Sequence, residues 1–444
     1  MKWQFFLLIP LFLYGEKTHF SSDTVSYKDD ILQLDGNVTL ENNLGILKSQ
    51  HANITRKSST FSLDFLFATL QDSVLLELPY EAYISCDKAE IDFSNRHVDL
   101  TSIANQVEYH DIQNNIVFSS PKLHCDWLDD DYKDTLISTD DHVQITYLDN
   151  LVLDADSAQF HTKTGITPES IPKGIIKAEK KSNGSPCILY RDNDQIACES
   201  ILINTLDETL SLKNPMGKFL TSVINPHLLG ETIFSADALL WDHKKNILTL
   251  NSNASIEESS FGKLTSSETI IISQILKNNT FDIETVTTEG SSLFEKEGEL
   301  SIQCDGTMHF DRTTGELIAL QKEQPILFKR LNMTVFSQKA LLHYTDNKPS
   351  SITFNGDVKI QNDSIIGQAE IINYLLAEKQ IELIAKEGEK VIFQNIAKTM
   401  QISADKLLIS KDPVSDKEVV KGIGRVHFSF DDNDKNELLK LLGI

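Results

Sequence analysis

The chain has 444 residues, of which 40% are hydrophobic and 24% charged, proportions typical of a folded protein rather than a disordered one. A chain of this length accommodates about two or three domains or one long repeat array. The formal net charge of −24 repels nucleic acid and anionic membrane surfaces, which excludes both as partners bound by charge.

Residues 1–15 have the pattern of a signal peptide. Lys2 gives a positively charged start, and residues 3–14 form an apolar run. Such a run is too short to span a bilayer and has the length of a secretory hydrophobic region. Gly15 offers a small residue for cleavage, but Leu13, at the −3 position, is larger than the residue usual there. The sequence therefore predicts export, with an uncleaved membrane anchor as the alternative.

Two stretches predict strands with one apolar face and a central glycine. Residues 32–42 read LQLDGNVTLEN, and residues 351–362 read SITFNGDVKIQN. Gly36 and Gly356 lie on the apolar face, where a glycine marks a bulge or a close approach of another segment. The side chains that share this face are Leu32, Leu34, Val38 and Leu40 in the first stretch and Ile352, Phe354, Val358 and Ile360 in the second.

A nine-residue phrase recurs about every 35 residues, a spacing typical of repeat architectures. It reads ISCDKAEID at 84–92 and ISADKLLIS at 402–410. Its third residue is usually small, although Ile366 is an exception, and a polar residue usually follows. Further copies lie at 47–55, 118–126, 153–161, 196–204, 234–242, 265–273, 302–310, 335–344 and 364–372.

The spacing of apolar residues within the phrase predicts a bent strand. Ile84 and Cys86 alternate as in a strand with one buried face, but the next apolar residue, Ala89, follows three positions on. Because side chains in a strand alternate with a period of two, an interval of three requires a bulge or bend. We therefore expect each copy to bend and continue, so that stacked copies build two sheets that face one another.

The same pattern interprets the five cysteines. Cys86, Cys198 and Cys304 occupy the small third position of the phrase, and Cys125 occupies an apolar position further along it. A buried cysteine behaves as a small hydrophobic residue. The sequence thus favours buried free thiols, with a Cys187–Cys198 disulfide and metal binding as alternatives.

Composition divides the chain into several parts. Residues 23–160 and 231–430 hold the closely spaced repeats and are predicted as N-terminal and C-terminal β domains. Residues 161–230 contain stretches rich in Pro, Gly, Lys and Ser and predict an irregular joint or insertion. Residues 431–444 begin with an Asp/Asn cluster followed by leucines and predict a short helix.

The alternation of the glycine stretch with the bent phrase resembles the OstA-like family, which includes the periplasmic lipopolysaccharide-transport bridge protein LptA and the N-terminal domain of the outer-membrane translocon LptD. The resemblance covers most of residues 23–430 and is clearest at 351–374 and at 27–56, which reads YKDDILQLDGNVTLENNLGILKSQHANITR. It implies an all-β fold, an elongated β-jellyroll or β-taco built from bent-strand repeats.

The resemblance also implies a function. A non-enzymatic periplasmic protein of this family would shield the acyl chains of lipopolysaccharide, or of a similar amphiphile, during transport to the outer membrane. Other OstA-like transport components would join it by pairing with its edge strands. An uncleaved leader would additionally hold it at a membrane.

The family fold implies an apolar groove between the two sheets. Burial of acyl chains contributes about 0.8 kcal/mol per methylene, so an acidic protein does not require charge to bind them. The alternative is a closed sandwich core in a structural or surface repeat protein, either adhesin-like or a rod that binds other proteins. The candidate lining residues are Leu32, Leu34, Val38, Leu40, Ile54, Ile91, Phe160, Phe234, Trp241, Ile352, Phe354, Val358 and Ile360.

No catalytic or metal-binding signature is evident in the sequence. HExxH, Walker and GxSxG motifs are absent, and the histidines do not cluster along the chain. We interpret His51, His124, His161 and His309 as strand residues on a solvated face. The acidic run at 126–134 lacks the spacing of a calcium loop and predicts a solvated turn. We therefore expect no enzymatic activity, cofactor or metal.

Overall fold

A computed structural model describes residues 19–42, 45–56, 65–78, 81–103, 105–128, 134–148, 150–163, 173–191, 194–219, 230–277, 280–346, 348–395, 400–411 and 418–429. These residues form 42 strands and no helix, which confirms the predicted all-β class. Accordingly, they contain no helix that could cross a membrane. The predicted signal peptide at 1–15 and the predicted helix at 431–444 lie outside them.

The chain divides into two compact units, Met1–Lys213 and Asn214–Ile444. The strands of unit 1 are β1 (His19–Ser21), β2 (Thr24–Lys28), β3 (Ile31–Asn42), β4 (Gly45–Arg56), β5 (Phe65–Leu78), β6 (Ala82–Asp92), β7 (His97–Thr101), β8 (Val107–Asp111), β9 (Ile116–Ser120), β10 (Lys122–Trp127), β11 (Thr135–Thr139), β12 (Val143–Tyr147), β13 (Leu151–Ala155), β14 (Ser157–Lys163), β15 (Lys173–Glu179), β16 (Cys187–Arg191), β17 (Asp194–Cys198), β18 (Ser200–Asn204) and β19 (Thr209–Lys213).

The strands of unit 2 are β20 (Met216–Phe219), β21 (Thr232–Ser235), β22 (Ala238–Asp242), β23 (Ile247–Asn251), β24 (Ala254–Glu258), β25 (Gly262–Ser266), β26 (Thr269–Lys277), β27 (Thr280–Glu289), β28 (Ser292–Lys296), β29 (Leu300–Cys304), β30 (Thr307–Asp311), β31 (Glu316–Leu320), β32 (Ile326–Arg330), β33 (Met333–Ser337), β34 (Lys339–Thr345), β35 (Lys348–Gln361), β36 (Ile365–Leu375), β37 (Gln380–Ile384), β38 (Val391–Asn395), β39 (Met400–Ala404), β40 (Lys406–Lys411), β41 (Glu418–Ile423) and β42 (His427–Ser429).

The stretch predicted as a joint, 161–230, contains β15–β20 in its described part, and the boundary between the units falls within it. The repeat copy at 196–204 lies in this stretch and forms β17 and β18.

Unit 1 consists of two antiparallel layers that share their first strands. The first layer pairs β6, β8, β9, β12, β13, β16 and β17 in that order. The second pairs β6, β7, β10, β11, β14, β15, β18 and β19. The long strands β3–β6 run through both layers, since each pairs with its neighbour along both of its halves. β1 and β2 pair with the two halves of β3.

Unit 2 repeats this plan. Its first layer pairs β20, β21, β24, β25, β28, β29, β32, β33, β35, β36, β38, β39 and β42. Its second layer pairs β22, β23, β26, β27, β30, β31, β34, β35, β36, β37, β40 and β41. The long strands β35 and β36 belong to both layers, as β3–β6 do in unit 1.

The predicted bends occur where the chain passes from one layer to the other. Single residues interrupt the strand at Pro121, Asp156, Glu199 and Asp405, so that β9 and β10, for example, lie in different layers. In β36 the partner changes from β38 to β37 after Gln368. That bend therefore follows the small buried Ala369, three residues later than the predicted third position at Ile366, which is exposed.

Side chains from the two layers meet in the interior. Phe118 of the first layer stacks on Phe160 of the second, with ring centroids 5.9 Å apart. In unit 2, Phe328 of the first layer contacts Phe354 in the second-layer half of β35, with centroids 5.1 Å apart. All four rings are fully buried. Aromatic pairs of this kind contribute about 0.5–1.5 kcal/mol beyond the burial of their area.

The two strand glycines have the predicted role. Gly36 and Gly356 have φ of +76° and +81°, and the pairing register shifts beside each of them. A Cβ atom on Gly36 would lie 2.5 Å from Asp23 Oδ2, and one on Gly356 would lie 2.4 Å from Gln338 Oε1. Each glycine thus combines a bulge with the close approach of a neighbouring strand.

The acidic residue after the small one stabilises the bend of a neighbouring strand. The backbone N–H of Ile103 donates to Asp87 Oδ2 over 2.8 Å, and that of Lys181 donates to Asp156 Oδ2 over 3.1 Å. Asp305 accepts from the N–H groups of three successive residues, 322–324. These hydrogen bonds lower the pKa of Asp305, and the one from Lys322 has the largest effect. Since a bend leaves backbone donors without a strand partner, the carboxylates replace the missing acceptors.

All five cysteines are buried and free, as favoured by the sequence. Cys187 and Cys198 face each other across β16 and β17, yet they form no disulfide, and Cys198 Sγ lies 3.8 Å from the Cys187 carbonyl oxygen. Burial raises the pKa of Cys86 and of Cys198 to about 12. The thiols therefore pack as small apolar groups.

Candidate functional site: the apolar interior of each unit

The predicted lining residues lie on the inner faces of the layers, and they divide between the two units. Leu32 is half-buried, and the others are buried. Those in unit 1 are Leu32, Leu34, Val38, Leu40, Ile54, Ile91 and Phe160; those in unit 2 are Phe234, Trp241, Ile352, Phe354, Val358 and Ile360.

Strand register joins these residues into continuous apolar rows. Residues directly opposite one another in paired strands point to the same side of a sheet. In the second layer of unit 1, one inward row runs through Tyr27, Leu32, Ile54, Ala68, Ile91, Val98, Cys125, Ile137, Phe160, Ile176, Ile203 and Leu210. With about 4.8 Å between neighbouring strands, this row extends over roughly 50 Å.

A matching row crosses the second layer of unit 2. It runs through Trp241, Leu248, Ile272, Val286, Phe310, Leu317, Leu342, Ile352, Tyr374, Ile381, Ile409 and Val420. No charged residue interrupts either row. Each unit therefore has an apolar interior that continues from strand to strand.

The interior reaches the surface at the first strands of unit 1. Val25 and Tyr27 of β2 lie opposite Leu34 and Leu32, so they face inward, yet they are 63% and 58% exposed. Among the described strands β2 pairs only with β3, which leaves one side of its backbone as a sheet edge. This end of the row is therefore accessible to solvent.

Unit 2 has a similar edge at its last described strands. Phe428 of β42 lies opposite the buried Ile402 and is 40% exposed. Val420 of β41 lies opposite Ile409 at the end of the inward row. Apolar inward positions thus become partly accessible here too.

In unit 2, an aromatic cluster connects the two layers at the strand ends that lie farthest from the bends. Phe261 follows β24 in the first layer and contacts Phe310 and Tyr344 of the second layer, with ring centroids 4.5 and 5.8 Å apart. The Tyr344 hydroxyl donates to the Phe261 carbonyl oxygen over 3.0 Å. Phe261 is fully buried, so it joins the two layers opposite their common bends.

Buried ion pairs lie at the same ends of other strands. Arg191, the last residue of β16, pairs with Asp194 at 2.8 Å, and both side chains are largely buried. Arg312, just after β30, pairs with Asp282 and donates to the Ile283 carbonyl oxygen over 2.9 Å. Breaking an ion pair of this kind is costly in free energy, because it leaves a buried charge without its partner.

On the outer face of the second layer, two histidines and two aspartates lie together. His97 and Asp99 of β7 lie opposite Asp126 and His124 of β10. His97 Nδ1 is 2.6 Å from Asp126 Oδ1, His97 Nε2 is 3.3 Å from Asp99 Oδ1, and His124 Nδ1 contacts the same Asp99 oxygen. The imidazole rings of His97 and His124 are 5.7 Å apart.

The two carboxylates change the electrostatics of this group. Partial burial acts to lower the pKa of His97, but Asp126 and Asp99 outweigh it and the pKa is raised. For Asp99, partial burial acts in the opposite direction from His124 and His97, and the imidazoles prevail, so its pKa is lowered. This group was not predicted from the sequence. Its signal was a repeated His-x-Asp, HVD at 97–99 and HCD at 124–126.

No protein-family model matches the chain, and no curated protein matches it. One solved structure that matches in part is LptH from Pseudomonas aeruginosa, described as the LptA-homologous periplasmic component of the lipopolysaccharide transport device. The match covers 30% of this chain and 94% of LptH, at 11% identity and a TM-score of 0.25. A TM-score this low is no argument for a common fold, so the architecture rests on the strand pairing described above.

Proposed function

We propose that the chain is a non-enzymatic, exported lipid-shielding protein. Its interior would hold the acyl chains of lipopolysaccharide or of a similar amphiphile while the polar headgroup stays in water. The periplasm is the compartment in which such a protein would work, and other proteins with bent-strand layers are the partners that its edge strands would pair with.

The observation that carries the proposal is the inward apolar row of unit 1 and its exposed end. Tyr27 begins this row and remains 58% exposed, whereas most of its members are fully buried. An apolar ligand that covers Val25 and Tyr27 removes their surface from water and gains about 25 cal/mol for each Å² buried. The edge is therefore the favourable place for an acyl chain to make its first contact.

The net charge of −24 constrains how such a ligand binds. Repulsion between the protein and an anionic headgroup opposes association, and salt screens that repulsion. Affinity must come from the acyl chains, at about 0.8 kcal/mol per buried methylene. Binding driven in this way strengthens as the ionic strength rises, unlike binding of a basic protein to the same lipid.

Photocrosslinking at the unit 1 edge tests the proposal. A photoreactive amino acid in place of Val25, which faces inward, should capture lipid when the full chain is purified from cells with an outer membrane. The matched control is Ser26, its neighbour on β2, which is also exposed but points to the other face. Mass spectrometry of the adduct identifies the lipid. Equal capture at both positions, or none at Val25, would contradict the proposal.

A second function is favoured by a different observation. The interior residues Phe118, Phe160, Phe328 and Phe354 are fully buried and contact one another across the layers. A core closed in this way suits a structural or surface protein whose rigid layers bind other proteins. Two results together would support this alternative. The purified chain would carry no lipid, and cells that lack the protein would keep an intact outer membrane.

A further inference from the structure

The repeated His-x-Asp tripeptide occupies two strands that are direct neighbours. Val98 of β7 lies opposite Cys125 of β10, both side chains are buried, and the residues on either side of them point outward. Antiparallel pairing brings the two His-x-Asp tripeptides together head to tail. Each histidine therefore lies opposite an aspartate, and the four side chains form a square on the surface of the layer.

Three of these side chains converge on one point. The candidate ligand atoms of His97, Asp99 and His124 all lie within 4.8 Å of one another. Ligand atoms around a tetrahedral Zn²⁺ with bonds of about 2.0–2.1 Å are roughly 3.3 Å apart. The 3.3 Å between His97 Nε2 and Asp99 Oδ1 already has this value. Small side-chain rotations would bring the third atom to the same separation.

The fourth side chain orients the first. Asp126 Oδ1 is 2.6 Å from His97 Nδ1, so this ring nitrogen carries the proton and Nε2 is left to act as a ligand. Metal-binding histidines are commonly held in this way, with the second ring nitrogen donating to a carboxylate. Asp126 thus has the position of a carboxylate that supports a ligand without binding the ion itself.

The oxygen between the two imidazoles is enclosed and has no aligned hydrogen bond. Both rings lie close to Asp99 Oδ1, and the Lys122 ammonium group is 4.0 Å from the same oxygen. A cation at this point would satisfy the oxygen and both nitrogens at once. Among the described residues this is the one group of three or more such side chains that lie close enough to share an ion.

We propose that His97, Asp99 and His124 bind a late first-row divalent cation such as Zn²⁺, and that Asp126 positions His97. Two imidazoles and one carboxylate match the preference of Zn²⁺ over Mg²⁺ and Ca²⁺, which favour oxygen ligands alone. The side chains are partly exposed, so at least one coordination position remains open to water or to a group from another molecule. The ion joins β7 to β10 on the side of the layer opposite the apolar interior.

The experiment is titration of the full chain with ZnCl₂ by calorimetry, in the presence of excess Mg²⁺ to occupy scattered carboxylates. The wild-type chain should bind Zn²⁺ saturably, with at least tenfold weaker affinity in His97→Gln and in His124→Gln. Asp126→Asn should weaken binding by about 10–100-fold, the usual effect of removing a carboxylate that supports a histidine ligand. Co²⁺ should give a visible absorption band in the wild-type chain that both histidine variants lose.

The matched control is His142→Gln. His142 also forms a surface pair with an aspartate in unit 1, at 2.9 Å from Asp154, but no further ligand group joins it among the described residues. This variant should keep wild-type affinity. Circular dichroism and urea midpoints check that every variant is folded. Absence of saturable Zn²⁺ binding in the wild-type chain, or equal losses in His142→Gln and His97→Gln, would overturn the proposal.

Discussion

The close approach at Gly356 gives a prediction whose size follows from the structure. Gly356 and Gly388 have nearly the same φ, +81° and +84°, but a Cβ atom on Gly388 would meet nothing within 4 Å. A side chain at such φ costs roughly 1–2 kcal/mol, of which about 0.4–1 kcal/mol is regained from the less flexible unfolded chain. We therefore expect Gly388→Ala to lower the free energy of unfolding by about 1 kcal/mol.

Gly356→Ala must cost more, because the new Cβ meets the side chain of Gln338. Its Oε1, Cδ and Cβ atoms would lie at 2.4, 2.8 and 3.0 Å. Gln338 cannot simply move away, since its backbone N–H donates to the carbonyl oxygens of Asn355 and Gly356. Overpacking of this kind costs about 1–3 kcal/mol. The expected total loss in Gly356→Ala is thus about 2–4 kcal/mol.

Urea unfolding measures both losses, from the midpoint and the slope of the transition. The additional change Gln338→Ala removes Oε1 and Cδ and should return about 1 kcal/mol in the Gly356→Ala background but not in the Gly388→Ala background. Equal losses in the two glycine variants, or no coupling to Gln338, would refute the interpretation of this glycine as a point of close strand approach.

Four further predictions concern the aromatic cluster around Phe261, the buried thiols, the bends and the net charge. Phe261→Ala should lower the free energy of unfolding by about 3–5 kcal/mol, the usual cost of a buried Phe→Ala change. It should also speed lipid uptake by unit 2, because Phe261 joins the two layers. Because burial raises the pKa of Cys86 and Cys198 to about 12, these thiols should resist a disulfide reagent in the folded chain at pH 8 and react at once in urea. The buried, neutral thiols contribute fully to the free energy of unfolding below the pKa of Cys in the unfolded chain, about 8.5. This contribution is lost as the pH rises towards 12, so the urea midpoint should fall over this range. Asp305→Ala should speed amide hydrogen exchange at 322–324, because these N–H groups lose their acceptor. Backbone hydrogen bonds from Lys322 and Gln324 lower the pKa of Asp305. In the wild-type chain, the protection of these amides from exchange should therefore be lost as the pH falls through the pKa that Asp305 has in the folded state. Lipid binding measured by fluorescence should strengthen with added NaCl, and weakening would instead indicate a basic headgroup site.

Much of the fold follows from local spacing in the sequence. The interval of three between Cys86 and Ala89 forces a bend, because a strand that kept its period would turn its apolar side chains to water. Gly36 and Gly356 could likewise be predicted, since a glycine among apolar strand residues has few other uses. The structure shifts the frame of the phrase at 364–372 by three residues, because Gly367 and Ala369, both small and buried, form the alternating pair before the bend in place of Ile366.

Other features depend on contacts that sequence spacing does not encode. His97 and His124 are distant along the chain and meet only because β7 pairs with β10 rather than with β8. Phe261 lies in a turn without periodicity, so no pattern indicated that it would join the two layers. The boundary after Lys213 falls inside a stretch whose composition suggested a loop, although its repeat copy forms β17 and β18.

The most direct test of the proposed function concerns the interior itself. A photoreactive amino acid in place of Phe354, fully buried between the layers of unit 2, should capture lipid acyl chains in cells, whereas the same group at the neighbouring outward Asn355 should not. A lipid adduct at Phe354 alone is the result expected of a lipid-shielding protein. Folded, fully modified protein with no lipid at Phe354, together with no lipid at Val25, would contradict this function and would indicate a closed structural core.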